Sequence, residues 1–372
     1  MTSKGKFKRA VRRRARETGQ RYTEARAAMD KRKEEYPAFV RSVEHAPLKA
    51  HLEERYGIRI SSMAPIVASG MTYSGTLRVE REVGSPWVAR VFSAPADTVS
   101  RVEGDAEILR FLAAHDFPAE RLAHDEPVSV MDGSGVIVTE FLEGGRTIDN
   151  PTMNTPATWQ ELASLLGRLH TLPAAGGAVA RDGGAFTHAG PQHDGVLYDG
   201  RPERCLAAAM STLVSVEDAV SPEGREKFEW LRDEVENADD VEGLPEALTH
   251  GNYNGWAAVG KPGNLVIVGW AGAGRGPRLA ALAWLLRTSA KDLTAVDYVN
   301  AVARGYSEHV RLTDDELGRL AGVINMVPLS MACFYYRRSV QTGYVPSGGE
   351  GWWPDPDRAE QLAEKAVEAF RS

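Results

Sequence analysis

Along the chain the spacing of apolar positions changes twice. From about Lys8 to Tyr36 the residues are helix-permissive, with no Pro and a single Gly, Gly19. Leu48–Tyr56 reads as a second helix, and Gly57 follows it as a natural stop. The period then falls to two. Ile58–Val67 and Gly75–Glu82 read as strands joined by a loop over Ala68–Ser74. Trp87–Phe92 reads as a third strand after a turn at Gly84-Ser85-Pro86. Helical spacing returns over Val102–Ala114, where Ile108, Leu109, Phe111 and Leu112 form the apolar side. Pro127–Met131 and Gly135–Phe141 read as a hairpin around Asp132-Gly133. Beyond Gly144-Gly145 the pattern is mostly helical, clearest over Thr158–Leu172, Glu203–Val214 and Ser221–Asn237. Short strands near Leu248 and over Leu265–Val268 interrupt it before helices resume to the end. Gly176–Gly200 is a loop rich in Gly, His and Asp, and no internal repeat is present.

This order predicts an α+β chain of two lobes. A small antiparallel sheet with one helix comes first, then a hinge over Glu140–Gly145, then a larger, mostly helical lobe. The expected limits are 1–45 for a basic helical extension, 46–143 for the small lobe and 144–372 for the helical lobe. The cleft between such lobes is the place to look for a ligand.

Charge alters this picture at one end. Residues 1–33 hold thirteen Lys and Arg against Glu17, Glu24 and Asp30, a net +10, so with a total of -7 the remainder carries -17. A basic arm on an acidic body is a solvated tail, a grip for an acidic peptide or, ranked last because no recognised motif accompanies it, a nucleic-acid contact. No continuous apolar run approaches the roughly 18–20 residues that span a bilayer, and no apolar stretch follows the basic start. Cys205 and Cys333 are the only cysteines, which points to neither a disulfide framework nor a Cys-based zinc site and fits a reducing cytoplasm.

The run Leu248-Thr249-His250-Gly251-Asn252-Tyr253-Asn254-Gly255-Trp256-Ala257, with Val266-Ile267-Val268-Gly269-Trp270 after it, resembles the signature of the aminoglycoside phosphotransferase and choline kinase-like families. In those families His-Gly-Asp or His-Pro-Asp is followed by four residues and then an Asn, and Ile/Val-Asp-Trp/Phe comes a dozen or so residues later. The resemblance runs from about Leu48 to the region of Tyr335 and implies a protein-kinase-like fold. It also implies that Arg90 stands where the phosphate-holding lysine of the third strand belongs, and that Asn252, Ala257 and Gly269 stand at the catalytic base and the two metal ligands.

An amide is not a useful base near pH 7, and Ala and Gly offer magnesium no side-chain oxygen. Arg is not an equivalent of that lysine. The expectation is therefore a pseudokinase, with no metal and no cofactor. Asn254 as a shifted ligand, or Asp194, Asp199 or Asp292 folding inward, is the counter-reading. His188 and His193 lack a third ligand of clear spacing.

The resemblance extends to kinase-like proteins of thioamitide (thioviridamide-type) and class V lanthipeptide biosynthesis in actinobacteria, and the Ala-, Gly- and Arg-rich composition agrees with such a source. It implies a modified ribosomal precursor peptide as ligand and closure of an S-aminovinyl-cysteine-type thioether ring as activity. Partners would be a cysteine decarboxylase or an active kinase or lyase. Arg90, His250, Asn252 and Tyr253 are the catalytic candidates, as donors to an enolate oxygen or as the acid. Asn254, Trp256, Trp270 and Arg275 are the substrate-binding candidates. Each has a plainer alternative. Arg90 would pair with Asp105 or Glu107, His250 and Trp270 would be architectural, and Arg275 and Arg278 would anchor the next helix. Two other functions stay open: a non-catalytic scaffold for partner enzymes, and a remodelled ATP-dependent phosphotransferase acting on a peptide Ser/Thr or a small metabolite.

Overall fold

The computed structural model describes residues 45–68, 71–92, 98–148, 150–173, 176–181, 202–239, 241–289, 295–343 and 354–372. The basic arm, the tip Ser69-Gly70 and His188, His193, Asp194, Asp199 and Asp292 lie outside them.

The small lobe begins with α1 (His45–Tyr56) and carries β1 (Ile60–Ala68), β2 (Met71–Arg81), β3 (Trp87–Phe92), α2 (Thr98–Ala114), β4 (Val128–Met131) and β5 (Ser134–Glu140). The five strands form one antiparallel sheet in the order β1-β2-β3-β5-β4. Alternation works as expected: Leu77, Val79, Ala89, Val91, Val136 and Val138 turn to one face and enclose Leu48 and Leu52 of α1. The loop predicted over Ala68–Ser74 is instead mostly strand. Pairing passes from Pro65↔Leu77 to Val67↔Thr72, so the extra residues of β2 bulge around Gly75, whose φ is +80°. Polar residues there masked the strand pattern.

The helical lobe holds α3 (Pro156–His170), α4 (Pro202–Val214), α5 (Pro222–Glu236), β6 (Glu246–Thr249), β7 (Ala258–Lys261), β8 (Asn264–Ile267), β9 (Gly274–Pro277), α6 (Arg278–Ser289), α7 (Val296–Ser307), α8 (Asp314–Thr342) and α9 (Pro356–Arg371). Helix starts follow local chemistry. Thr155 and Ser221 cap α3 and α5, each with Pro in the first turn, and Thr313 with Glu316 forms a capping box on α8. Helices α3 and α7 cross closely because a Cβ at Gly305 would collide with the Gln160 carbonyl. The main core runs through both lobes, from Ile108 and Leu112 to Leu285 and Tyr306, while α4, α5 and α8 enclose a second core around Leu213, Phe228 and Cys333.

Among the described residues α8 is long and apolar enough to cross a bilayer by length and composition, with more than half of its most apolar stretch buried. Ser, Asn and Pro328 interrupt its apolar positions, so no continuous run announced it. It packs against α4, α6 and α9. Cys205 and Cys333 are both buried and unpaired.

The backbone ties the lobes at one bridge, where Glu120 N–H donates to the Ile267 carbonyl at 2.9 Å and Ile267 N–H to that of Pro118 at 2.7 Å; within the helical lobe, just past the hinge, Arg146 and Gly260 exchange bonds of 3.0 Å.

Candidate functional site

Strand β6 delivers the 250–257 loop to the cleft, and β9 fixes its start: the Thr249 hydroxyl donates to the Gly274 carbonyl at 3.0 Å. The chain turns at Gly251, φ +77°, where a Cβ would stand 3.4 Å from the Gly272 carbonyl. Asn254 then caps the 3-10 turn Gly255–Ala257, its carboxamide oxygen accepting Trp256 N–H at 2.8 Å. The β7–β8 hairpin returns the chain to Gly269, beside the loop's base.

Much of this loop is core. His250 is 2% exposed and its Nε2–H donates to the Val268 carbonyl at 3.0 Å. Its ring meets Trp270 edge-on at 4.7 Å and Tyr253 at 5.8 Å. Burial pushes the imidazole down to about 4, against the opposing pull of the Val268 carbonyl and Glu120, so it is neutral at pH 7. The buried Tyr253 hydroxyl donates to the Leu162 carbonyl of α3 at 2.9 Å, and burial raises its pKa well above the usual value. Trp270 donates from Nε1 to the Ile267 carbonyl at 2.9 Å and packs edge-on against Phe117. Asn254 is buried in its capping role. Tyr253, Trp270 and Asn254 spend their polar atoms on backbone or on the loop itself, whereas His250 bonds through Nε2 and its buried Nδ1 has no partner among the described residues; for His250 and Trp270 this agrees with the architectural alternative.

Asn252 and Trp256 are only partly buried. The Asn252 carboxamide oxygen accepts from Asn254 Nδ2 at 2.7 Å and Trp284 Nε1 at 3.0 Å. Both bonds fall on that oxygen, which leaves the Asn252 amine for other contacts. Arg275 lies opposite Leu248 in the β6–β9 ladder, and its half-exposed guanidinium pairs with Glu246 at 3.3 Å. Arg278 holds Glu316 through two bonds, of 2.7 and 2.8 Å, so its anchoring role is the one realised.

Arg90 does not pair with Asp105 or Glu107. Its Nη1 lies 2.8 Å from Glu120 Oε2 and 3.3 Å from the Thr139 hydroxyl, which itself donates to the same carboxylate oxygen at 3.0 Å. The other oxygen of Glu120 accepts Gly269 N–H at 2.7 Å. Glu120 is 2% exposed. Its position follows from the parallel bridge Ala119↔Ile267, which lays the segment after α2 along the end of β8. One buried carboxylate therefore joins the cation of β3 to the turn at Gly269. Arg90 thus has an acid partner, as its plainer alternative expected, but the acid is Glu120 and not Asp105 or Glu107; such a pair is compatible with contact to a ligand.

Asp105 serves a second pair. It binds the Arg181 guanidinium and accepts Gly272 N–H at 3.2 Å. Burial pushes its carboxyl up to about 6, with Arg181, the Gly272 N–H and Arg90 pulling the other way. Gly104 of α2 makes this possible, since a Cβ there would collide with the guanidinium. Arg181 also donates to the Ala273 and Arg101 carbonyls, each at 2.9 Å. Glu120 and Arg181 carried no motif in the sequence. The available signal was chemical: Glu120 is an acid following Phe117-Pro118-Ala119, and a charge in apolar surroundings needs a partner.

A magnesium–triphosphate group does not fit these residues. Ala257 and Gly269 supply no oxygen, the Asn252 oxygen is taken, and both Glu120 oxygens are bonded within the protein. Among the described residues no group of three or more His, Cys, Asp or Glu is arranged to hold a metal ion.

The fold has known relatives. Choline kinase LicA from Streptococcus pneumoniae superposes with a TM-score of 0.56 at 13% identity, covering 86% of this chain and 99% of the other. A choline/ethanolamine kinase family protein from Mesorhizobium loti gives 0.53 at 15% identity, covering 84% and 92%. Amicoumacin kinase hAmiN, in complex with AMP-PNP, Ca2+ and Ami, gives 0.57 at 10% identity, covering 90% and 96%. At these identities the likeness concerns the fold, a protein-kinase-like one. No curated protein matches the chain by sequence. Residues 67–321, more than half of the chain, match the sequence profile described as the phosphotransferase enzyme family, and the chain belongs to that family.

Proposed function

We propose that this chain is a degenerate phosphotransferase that binds a modified ribosomal precursor peptide in the lobe cleft, transfers no phosphoryl group, and promotes thioether ring closure by holding the reacting ends together. The observation that supports the loss of transfer is the metal-ligand set: Ala257 and Gly269 offer no side-chain oxygen, and the Asn252 carboxamide oxygen already accepts from Asn254 and Trp284. The peptide half rests on the resemblance to kinase-like proteins of thioamitide biosynthesis and on Asn252 and Trp256, the loop residues left partly open to a ligand.

Ring closure needs neither ATP nor metal. A thiolate adds to the alkene carbon of a dehydroamino acid, the electron pair moves to the neighbouring carbonyl as an enolate, and the α-carbon takes a proton. Nothing is oxidised. Proximity is the main contribution available. His250 and Tyr253 are both buried, which favours solvent over either of them as the proton source. The same burial favours a second reading, a scaffold that holds peptide for a partner decarboxylase, kinase or lyase.

The test uses purified protein with dehydrated, decarboxylated peptide. Binding is followed directly, and ring formation by mass spectrometry with thiol trapping. The proposal expects binding weakened about tenfold by Trp256→Ala, and faster ring formation with protein than without. Binding without faster closure selects the scaffold. Absence of binding rejects both readings.

A further inference from the structure

Helix α6 sends one side chain to the 250–257 loop, and the polarity of the cleft turns on it. Trp284 is buried at mid-helix, and its Nε1–H donates to the Asn252 carboxamide oxygen at 3.0 Å. Asn254 Nδ2 reaches the same oxygen at 2.7 Å. A carboxamide can exchange its two ends by rotation, so the end that faces inward is set by what it meets. Here it is set by two independent routes. An indole N–H can only donate, so the Asn252 atom beside Trp284 is the oxygen. The other route starts at the main chain. Trp256 N–H, also donor only, meets the Asn254 oxygen at 2.8 Å, which turns the Asn254 amine towards Asn252. Both routes demand an oxygen at the same place. The Asn252 amine is therefore left on the other side. It has no partner among the described residues and, unlike His250 Nδ1, it is not shut off from solvent.

We propose that Trp284 is a positioning residue: with Asn254 it holds the Asn252 amine outward, so that the loop takes its ligand by a carbonyl oxygen and not by a hydroxyl proton. A hydroxyl substrate needs an acceptor for its proton, and the loop offers a donor. The inference rests on the peptide reading above and names the group the peptide presents there, the carbonyl of its dehydroamino acid. On that oxygen the electron pair collects when the thiolate adds, and an N–H already aimed at it gains strength as the charge grows. The aim is rigid because the indole is carried by a buried helix that also packs on the turn Gly255–Ala257.

Two peptides of equal charge test this on the full chain: the dehydrated, decarboxylated peptide, and its counterpart with Ser in place of the dehydroamino acid. The readout is the ratio of their dissociation constants. Asn252→Asp keeps one oxygen for Trp284 and Asn254 and turns a second oxygen outward, so it inverts the outward polarity while preserving both internal bonds. It should weaken binding of the dehydrated peptide about tenfold and leave the Ser peptide unchanged or tighter. Repulsion by the new charge, or damage to the fold, would act on both peptides alike and leave the ratio where it was. Trp284→Phe keeps a ring in place but frees the carboxamide to turn, and should shift the ratio about threefold in the same direction. It carries the test if Asn252→Asp fails to fold. A ratio unmoved by these variants overturns the inference and leaves the peptide reading standing. Failure of the unaltered chain to bind either peptide rejects that reading and this inference with it.

Discussion

Two buried Arg–Glu pairs do different work with the same chemistry. In the helical lobe, fully buried Glu316 takes two bonds from Arg278 and one from Thr313 N–H, joining the start of α6 to the capping box of α8. In the cleft, Glu120 takes Arg90, the Thr139 hydroxyl and Gly269 N–H. Each acid accepts three bonds. Only the second lies at the lobe cleft, so only there does the pair bear on a ligand. A satisfied ion pair is thus neutral evidence about function until its location is known.

Removing the acids separates the two. Glu316→Ala strands a partly buried guanidinium and opens a capping box, so unfolding should become easier by about 3–5 kcal/mol. Glu120→Ala should cost about 2–3 kcal/mol, because Arg90 keeps some access to water. Urea midpoints check both. Inorganic phosphate should then stabilise Glu120→Ala, whose Arg90 is released, and leave Glu316→Ala unchanged. Equal responses would erase the distinction.

Acid tests the cores behind each pair. The His250 pKa falls to about 4 and that of His170 to about 3, both through burial first, against 6.5 in the unfolded chain. The unfolded chain therefore takes up these protons first, and stability falls as pH drops from about 6.5 towards 4. Asp105, raised to about 6 from 3.8, runs the other way between those values. Two groups oppose one, so the urea midpoint should be lower at pH 5 than at pH 7. His250→Gln should reduce that difference, and an unchanged difference would remove His250 from the account.

Smaller changes follow. Tyr253→Phe should lose about 1 kcal/mol, the worth of one buried hydrogen bond, with peptide binding intact. A loss of peptide binding at unchanged stability would return Tyr253 to the ligand site. Arg275→Ala breaks a half-exposed pair and should shift stability by about 0–1 kcal/mol.

The sequence made the fold legible where one face of an element is buried: the alternation of Leu77, Val79, Ala89 and Val91 and the spacing of Ile108 and Leu112 follow directly from the core they build. Asn252, Ala257 and Gly269 were picked out by the resemblance of their run to the family signature, not by any periodicity. Glu120 was not. It sits in an irregular stretch between α2 and β4, and its role depends on a bridge to Ile267, about 150 residues away. His250 and Tyr253 kept both a catalytic and an architectural reading open for a related reason. Their loop has no periodicity, so nothing local distinguished a side chain facing the cleft from one facing Leu162 or Val268. The aromatic and imidazole groups there suggested chemistry, and packing claimed them.

The central proposal is that Asn252, Ala257 and Gly269 leave magnesium and triphosphate without ligands. Thermal unfolding of the full chain with millimolar ATP and magnesium tests it most directly. A nucleotide present at about 100 times its dissociation constant would add about 2.7 kcal/mol, well within what such a melt resolves. The account predicts no magnesium-dependent shift in Tm. A clear upward shift that requires both ATP and magnesium would contradict it.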